Sequence, residues 1–434
     1  MLEALRHASS KRDLQLLLGA CRRLLSVRGE TNASSMAQEV LARFNALPAE
    51  RHADFFRGLA TNFNPEPADV LKAAQAYAQQ PGAAQLIALV RGAEPPRQEL
   101  FRRLNRAPQG TATIVRMRHS LLKQLDRYPE LAAVEADLLH LLSSWFNPGF
   151  LEMQRVDWNS PAQLLEQLIQ HEAVHQIDGW DDLRRRLQPD RRCFAFFHPQ
   201  LPAEPLIFVE IALTKEMPEA IAPLIDKNAE PLAARHFKVA TFYSISNCQP
   251  GLRGVSLGNF LIKRVAQQLQ RELPSVKTFC TLSPIPRFTA WLARPPAPVP
   301  ADATLSKAAL RRSQAEAEAR AALGPDPAAW VAQLGNWSPE QATPAQRDAL
   351  LTLAALCLAH GSAQAGSDPV ANFHLSNGAR LHRLNWAADL SRKGIKQSAA
   401  MMVNYLYELD RVEENHERFS HGEVAVSRAV TQLL

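Results

Sequence analysis

Cysteine is scarce and scattered in this chain. Its five cysteines, Cys21, Cys193, Cys248, Cys280 and Cys357, are odd in number, far apart and never spaced as CxxC. That usage excludes a disulfide framework and a zinc ribbon and fits a reducing compartment, with each thiol a small buried hydrophobe. No run of about 18 apolar residues exists, so no membrane-spanning helix is expected. The first 25 residues carry charges throughout and lack the apolar segment of a secretory signal. The chain ends in VTQLL rather than a peroxisomal tripeptide. Internal repeats of 20–50 residues and low-complexity tracts are also missing. A basic stripe is missing too. The net charge is +6, of which +5 falls in residues 1–150, while the remaining 284 residues are nearly balanced. Basic residues are interleaved with acids at helical spacing, which argues against a nucleic-acid partner and suits an anionic small ligand equally well.

What is present is ordinary globular material. The 434 residues are 46% hydrophobic and 21% charged, enough apolar surface for two to three domains. Residues 1–150 read as helix after helix. Leu14, Leu17, Leu18, Cys21, Leu24 and Leu25 repeat at three and four, as do Leu131, Val134, Leu138, Leu139, Leu141 and Leu142. Pro and Gly punctuate the runs, and no strand is expected before residue 190. This is the pattern of an all-α bundle. Helical character continues over 160–187. Three β-rich runs follow, at Cys193–Phe197, Pro205–Thr214 and Val239–Ser246, apolar enough for a buried sheet. A long helix is predicted over Leu257–Leu273 and a strand over Val276–Leu282. After the Pro-rich stretch ARPPAPVPAD, residues 294–366 return to Ala-rich helix. The class is α+β.

Four motifs carry chemistry. His171-Glu172-Ala173-Val174-His175 spells the zinc-protease helix HExxH, but the residues after it supply no third ligand, and an amphipathic helix with one buried His explains it as well. Gln249-Pro250-Gly251-Leu252-Arg253-Gly254-Val255-Ser256-Leu257-Gly258 lies between a strand and a helix, where glycines let backbone N–H groups approach a pyrophosphate. It matches neither GxGxxG nor GxxxxGK[ST], so a dinucleotide fold or a P-loop is not indicated. A simple helix cap is the other reading. Thr281-Leu282-Ser283-Pro284-Ile285-Pro286 holds a serine in a rigid extended turn, giving its hydroxyl a fixed aim or a strand-end turn. In Asn372-Phe373-His374-Leu375-Ser376-Asn377-Gly378-Ala379, the histidine is either a core residue or the side chain suited to move a proton near neutral pH.

The segments FFHPQLPAEPLIFVEIALT, FYSISNCQPGLRGVSLGNFLIKRV, TLSPIPRFTAWL and NFHLSNGARLHRLNWAAD together resemble the malonyl-CoA decarboxylase family. The likeness spans about residues 140–410. It implies an all-helical oligomerisation domain over 1–150, then a mixed-sheet catalytic domain over 151–434 similar to the GNAT acetyltransferases, with a helical insertion near 294–366. It implies that Arg253, Gly254, Val255, Ser256, Leu257, Gly258 and Asn259 hold the CoA pyrophosphate, with Lys263 and Arg264 nearby, and that Ser283 and His374 are the catalytic pair. Ser256 stands where animal relatives have an acidic residue, so that residue's role does not carry over. Ala162 and Pro199 stand where an animal relative has its subunit-linking cysteines, so interchain disulfides are not implied. The resemblance further implies conversion of malonyl-CoA to acetyl-CoA and CO2 with no metal and no organic cofactor, since the thioester itself is the electron sink. It implies a homotetramer of the bacterial, cytoplasmic kind, without nucleic-acid or membrane partners. A GNAT-type acyltransferase, a zinc hydrolase built on HEAVH and a silent CoA-binding regulator are the competing readings.

Overall fold

The computed structural model describes residues 2–26, 32–257, 261–296, 306–361 and 367–434, and only the backbone of 2–10. The chain packs as two compact units. One comprises residues 1–152 with 197–206 and 248–257, and the other comprises 153–196, 207–247 and 258–434.

The first unit is helical. Its helices are Leu2–Leu25, Ala33–Ala46, His52–Asn62, Pro67–Gln79, Ala83–Ala93, Pro96–Asn105, Gly110–Leu122 and Ala132–Trp145. The apolar spacing read from the sequence is the buried stripe: Leu17, Cys21, Leu24, Val134, Leu138 and Leu142 are fully enclosed. Pro67 and Pro96 each stand in the first turn, where a missing N–H costs nothing. Phe44, Phe55 and Phe56 form the aromatic centre, with Phe44 and Phe55 ring centroids 5.3 Å apart. Two non-helical segments complete this unit. In the first, His198 stacks near Phe146 and its Nε2 lies 3.0 Å from the Trp145 carbonyl. The second contains the Gly-rich loop.

The second unit is built on an eight-stranded mixed sheet. Its strands are β1 (Glu152–Val156), β2 (Arg191–Phe197), β3 (Ile207–Thr214), β4 (Val239–Asn247), β5 (Thr278–Thr281), β6 (Ser283–Pro284), β7 (Arg380–Asn385) and β8 (Met402–Leu406). The order is β1-β2-β3-β4-β5-β8-β6, with β7 also on β8. β2, β3 and β4 pair antiparallel; β4 and β5 pair parallel. A parallel pair needs a crossover, and the helix Leu261–Glu272 supplies it, burying Leu261, Ile262, Val265, Ala266 and Leu269. β2 is buried along its whole length, as its RRCFAFF sequence requires once its arginines find carboxylates. Helices Lys307–Ala322, Pro327–Ala332 and Pro344–His360 form the insertion, each started by a side-chain cap from Ser306, Asp326 or Thr343. The α+β class is thus as expected, with the helices first and the mixed sheet after.

Three expectations fail. A strand does precede residue 190: β1 is exposed along most of EMQRV and buried only at Val156, so it gives no alternating signal. The helix over 160–187 is two helices, Ala162–His171 and Gly179–Arg186. Glu172 breaks it, because its carboxylate turns toward β4 and accepts hydrogen bonds from Ser244 Oγ at 2.7 Å and Ser246 Oγ at 3.1 Å. The same carboxylate also accepts from the backbone N–H of Val174 and His175. Leu257, the predicted start of the next helix, is not helical; the described part of that helix is Leu261–Glu272, and Gly258, Asn259 and Phe260 lie outside the described residues.

Candidate active site

Ser283 opens β6, next to Leu282, where the strand that began as β5 is interrupted. Pro284 lacks an N–H, so β6 stays two residues long, yet it keeps register on β8 through Ser283 opposite Val403. His374 lies in the helix Pro369–Ser376. Asp368 starts that helix, its Oδ1 accepting from the N–H of Val370 and Ala371. Its other oxygen accepts from the Arg287 N–H at 2.9 Å, and Arg287 also donates to the Ser367 carbonyl. One buried carboxylate therefore joins the serine turn to the histidine helix across the whole insertion. The helix ends at Gly378, whose φ of +78° and contact with the Val412 backbone leave no room for a side chain.

The two side chains meet. Ser283 Oγ and His374 Nε2 are 3.1 Å apart, and both residues are about 95% buried. Ser283 Oγ donates to Thr281 Oγ1 at 2.9 Å. Thr281 Oγ1 also accepts from the Tyr405 N–H. On the other side of the ring, His374 Nδ1 lies 2.9 Å from the Tyr407 hydroxyl. Using each donor once gives a directed chain: Tyr407 O–H to Nδ1, Nε2–H to Ser283 Oγ, Ser283 O–H to Thr281. Tyr405 stacks on the imidazole, centroids 4.7 Å apart. Burial pulls His374 down to about 3, so the ring is neutral at physiological pH. Burial also pushes the Tyr407 phenol well above its usual range. Below the pair, Asn404 donates to the Thr281 carbonyl and accepts from Asn385 Nδ2.

Thr281, Tyr405 and Tyr407 were not singled out from the sequence. A usable signal was there, since residues 405 and 407 of NYLY share one face of an extended strand. The HEAVH letters do not form a zinc helix. His171 is the last residue of its helix, so His175 is not one turn further along the same face. Among the described residues no group of three or more His, Cys, Asp or Glu could hold a metal ion.

The Gly-rich loop belongs to the helical unit. After a short 3-10 turn at Pro250–Leu252, Arg253 is extended and Gly254 takes φ +85°, the left-handed region. Arg253, Gly254 and Ser256 are exposed; Val255 and Leu257 are buried. The Val255 and Leu257 N–H groups are bonded inside the loop, whereas among the described residues those of Gly254 and Ser256 have no partner. Gly251 touches the Val115 carbonyl so closely that a Cβ would fall 2.0 Å from its oxygen. Of the two cations noted nearby in sequence, Lys263 pairs with Glu413 at 2.7 Å and Arg264 lies over the Phe196 ring.

A mixed sheet carrying a buried serine–histidine–tyrosine chain is the class of arrangement in which an imidazole is able to hand on a proton. Family models for the malonyl-CoA decarboxylase C-terminal and N-terminal domains match residues 149–434 and 63–146. The mitochondrial malonyl-CoA decarboxylase of Anser anser anser is 36% identical over 409 residues, covering 88% of this chain and 80% of that protein. The solved structure of a malonyl-CoA decarboxylase from Rhodopseudomonas palustris is 44% identical with a TM-score of 0.82, covering 96% of this chain and 99% of that one. The one from Cupriavidus metallidurans is 37% identical with a TM-score of 0.75, covering 98% and 100%. The chain belongs to the malonyl-CoA decarboxylase family.

Proposed function

We propose that this protein is a carboxy-lyase that converts malonyl-CoA to acetyl-CoA and CO2, using the Ser283–His374 pair as its acid and no metal or organic cofactor. The C–C bond to the carboxylate breaks when it lies across the thioester π-system. Its electron pair moves into the thioester as an enolate, and CO2 leaves. The enolate carbon then takes a proton. His374 is the source, Ser283 is the polar contact to the malonyl group, and Tyr407 holds the imidazole tautomer with hydrogen on Nε2. Solvent restores one proton per turnover. A neutral donor is sufficient, because a thioester enolate is a stronger base than the imidazolate left behind.

The observation that carries this reading is the 3.1 Å contact between two buried polar side chains 91 residues apart. A core histidine has no need of a serine, a tyrosine and a stacked ring aligned on it. Arg253–Asn259 is proposed to take the CoA phosphates. The support is the exposed Gly254 and Ser256 N–H groups and the exposed Arg253 cation, which has no ion-pair partner among the described residues.

The test is acetyl-CoA formation from malonyl-CoA with EDTA present and no acyl acceptor. Turnover is expected, and His374→Ala and Ser283→Ala should each lower kcat by roughly 10²–10⁴ while leaving CoA affinity near that of the parent. Loss of activity in EDTA with recovery on zinc would overturn the cofactor-free reading. A strict requirement for an amine acceptor would favour an acyltransferase.

Self-association through the N-terminal helices, as a homotetramer, is part of the same proposal. The helices Pro67–Gln79 and Ala83–Ala93 pack on each other and bury none of their residues. Leu71, Leu86, Ile87 and Val90 are 44–61% exposed. A second copy of the hairpin is the occupant argued for. Residues 67–93 carry only Asp69, Lys72 and Arg91 as charges, so like faces do not repel. The same near-neutrality suits neither nucleic acid nor an anionic membrane, and among the described residues no helix is long and apolar enough to cross a bilayer. All five cysteines are buried and free, as a reducing compartment keeps them, and we read the protein as cytoplasmic.

A further inference from the structure

We infer that Arg118, a residue of the helical unit, is a positioning residue for substrate binding: it orients the Arg253–Ser256 loop so that the Gly254 N–H faces an incoming phosphate. This rests on the reading that the loop receives the CoA phosphates. Arg118 lies in the helix Gly110–Leu122 and is 1% exposed. Its guanidinium donates to the Gly251 carbonyl and to the Arg253 carbonyl, both at 2.7 Å. It is held for this by Glu135 on the helix Ala132–Trp145, through Nε at 3.0 Å and Nη2 at 2.6 Å. The fork thus uses one edge on a carboxylate and the rest on two loop carbonyls, a geometry that lysine cannot reproduce.

The consequence follows from peptide planarity. A trans peptide points its C=O and N–H in opposite directions, and among the described residues no peptide is cis. The Arg253 carbonyl is drawn inward to Arg118. The N–H of the same peptide, that of Gly254, must therefore point away from the helices. Gly254 is exposed, and its N–H has no partner among the described residues. The buried cation also polarises that peptide in the sense that favours an anion at its N–H end. Close packing removes the loop's freedom to turn over: Gly251 meets the Val115 backbone, and Val255 and Leu257 are buried. The N-terminal helices would on this account contribute to substrate binding as well as to assembly.

The experiment measures kcat and KM for malonyl-CoA and the Kd of free CoA in the full-length protein. Arg118→Met alone leaves the half-buried Glu135 unpaired, which endangers folding. The double variant Arg118→Met/Glu135→Met removes both charges and keeps the apolar volume. It is expected to melt within a few degrees of the parent, to raise KM and the CoA Kd tenfold or more, and to change kcat less than twofold. Arg118→Lys, which keeps the charge but loses the fork, should fall between the two, and guanidinium ion added to Arg118→Ala should lower KM again. Gly254→Val is measured alongside, because a Cβ at φ +85° disturbs the loop directly. If Gly254→Val raises KM and neither Arg118 variant does, the positioning role is overturned while the loop reading stands. If Gly254→Val also leaves KM unchanged, the loop reading itself fails. An Arg118 defect in kcat alone would likewise overturn the inference.

Discussion

His374 shows how one residue's surroundings set its chemistry. An imidazole pulled down to about 3 cannot act as a cationic acid at neutral pH. We therefore expect kcat/KM to stay level between about pH 5 and pH 8. A limb near 6.5 that vanishes in His374→Gln would contradict the neutral-donor reading. The same depression has a cost in acid. The unfolded chain takes up a proton on His374 below about pH 6.5, and the folded chain resists until about 3. Stability is therefore full above pH 6.5 and falls as the pH drops through that window. Chemical denaturation of His374→Gln at pH 7 and pH 5 should show a smaller loss than the parent, and an equal loss would count against the buried neutral ring. Tyr407→Phe removes the donor to Nδ1 while keeping the ring packing. One such hydrogen bond is worth about 1 kcal/mol, so kcat should fall about fivefold with KM unchanged. A kcat equal to that of the parent would mean that the phenol does not hold the tautomer.

At the level of elements, Asp368 joins a helix start to a strand end. Asp368→Ala should cost about 1 kcal/mol for the cap alone and lower kcat by more than the change in melting temperature accounts for, since Arg287 and the serine turn are also released. Asp368→Asn keeps the capping oxygen but sets an amide NH2 against the Arg287 N–H, so it should recover the cap's share of stability while kcat stays lowered. Equal kcat in the alanine variant would show that Ser283 and His374 stay aligned without the carboxylate. The elements themselves were largely legible. β2, β3 and β4 announce themselves through unbroken apolar runs, and the helix Leu261–Glu272 through its 3.6-residue period. β1 was silent because its face is wet, and the break at Glu172 was silent because its cause, two serines on β4, is more than 70 residues away. The site divides in the same way. Ser283 and His374 stand in motifs whose residue types declare a use. Arg118 and Asp368 act on backbone groups far along the chain, and nothing in their immediate neighbours marks them.

For the whole molecule, the hairpin 67–93 makes the clearest demand. Ile87→Glu/Val90→Glu places two charges on its open face, away from the contact between its own helices. Light scattering at micromolar concentration should report a smaller assembly with unchanged helicity. An unchanged mass would move the self-association elsewhere. The position of β8 has a different kind of consequence. It is the last of the described strands in chain order, yet it lies in the interior of the sheet, between β5 and β6 on one side and β7 on the other. Even the Tyr407 N–H closes onto the Phe279 carbonyl. While the chain emerges from the ribosome, β5 therefore waits with an unpaired edge until more than 120 further residues have been synthesised. The Ser283–His374 contact lacks Tyr405 and Tyr407 during that interval. Activity should arrive abruptly once β8 has emerged and paired, and a chain released before Met402 should be both inert and prone to pair with its own kind.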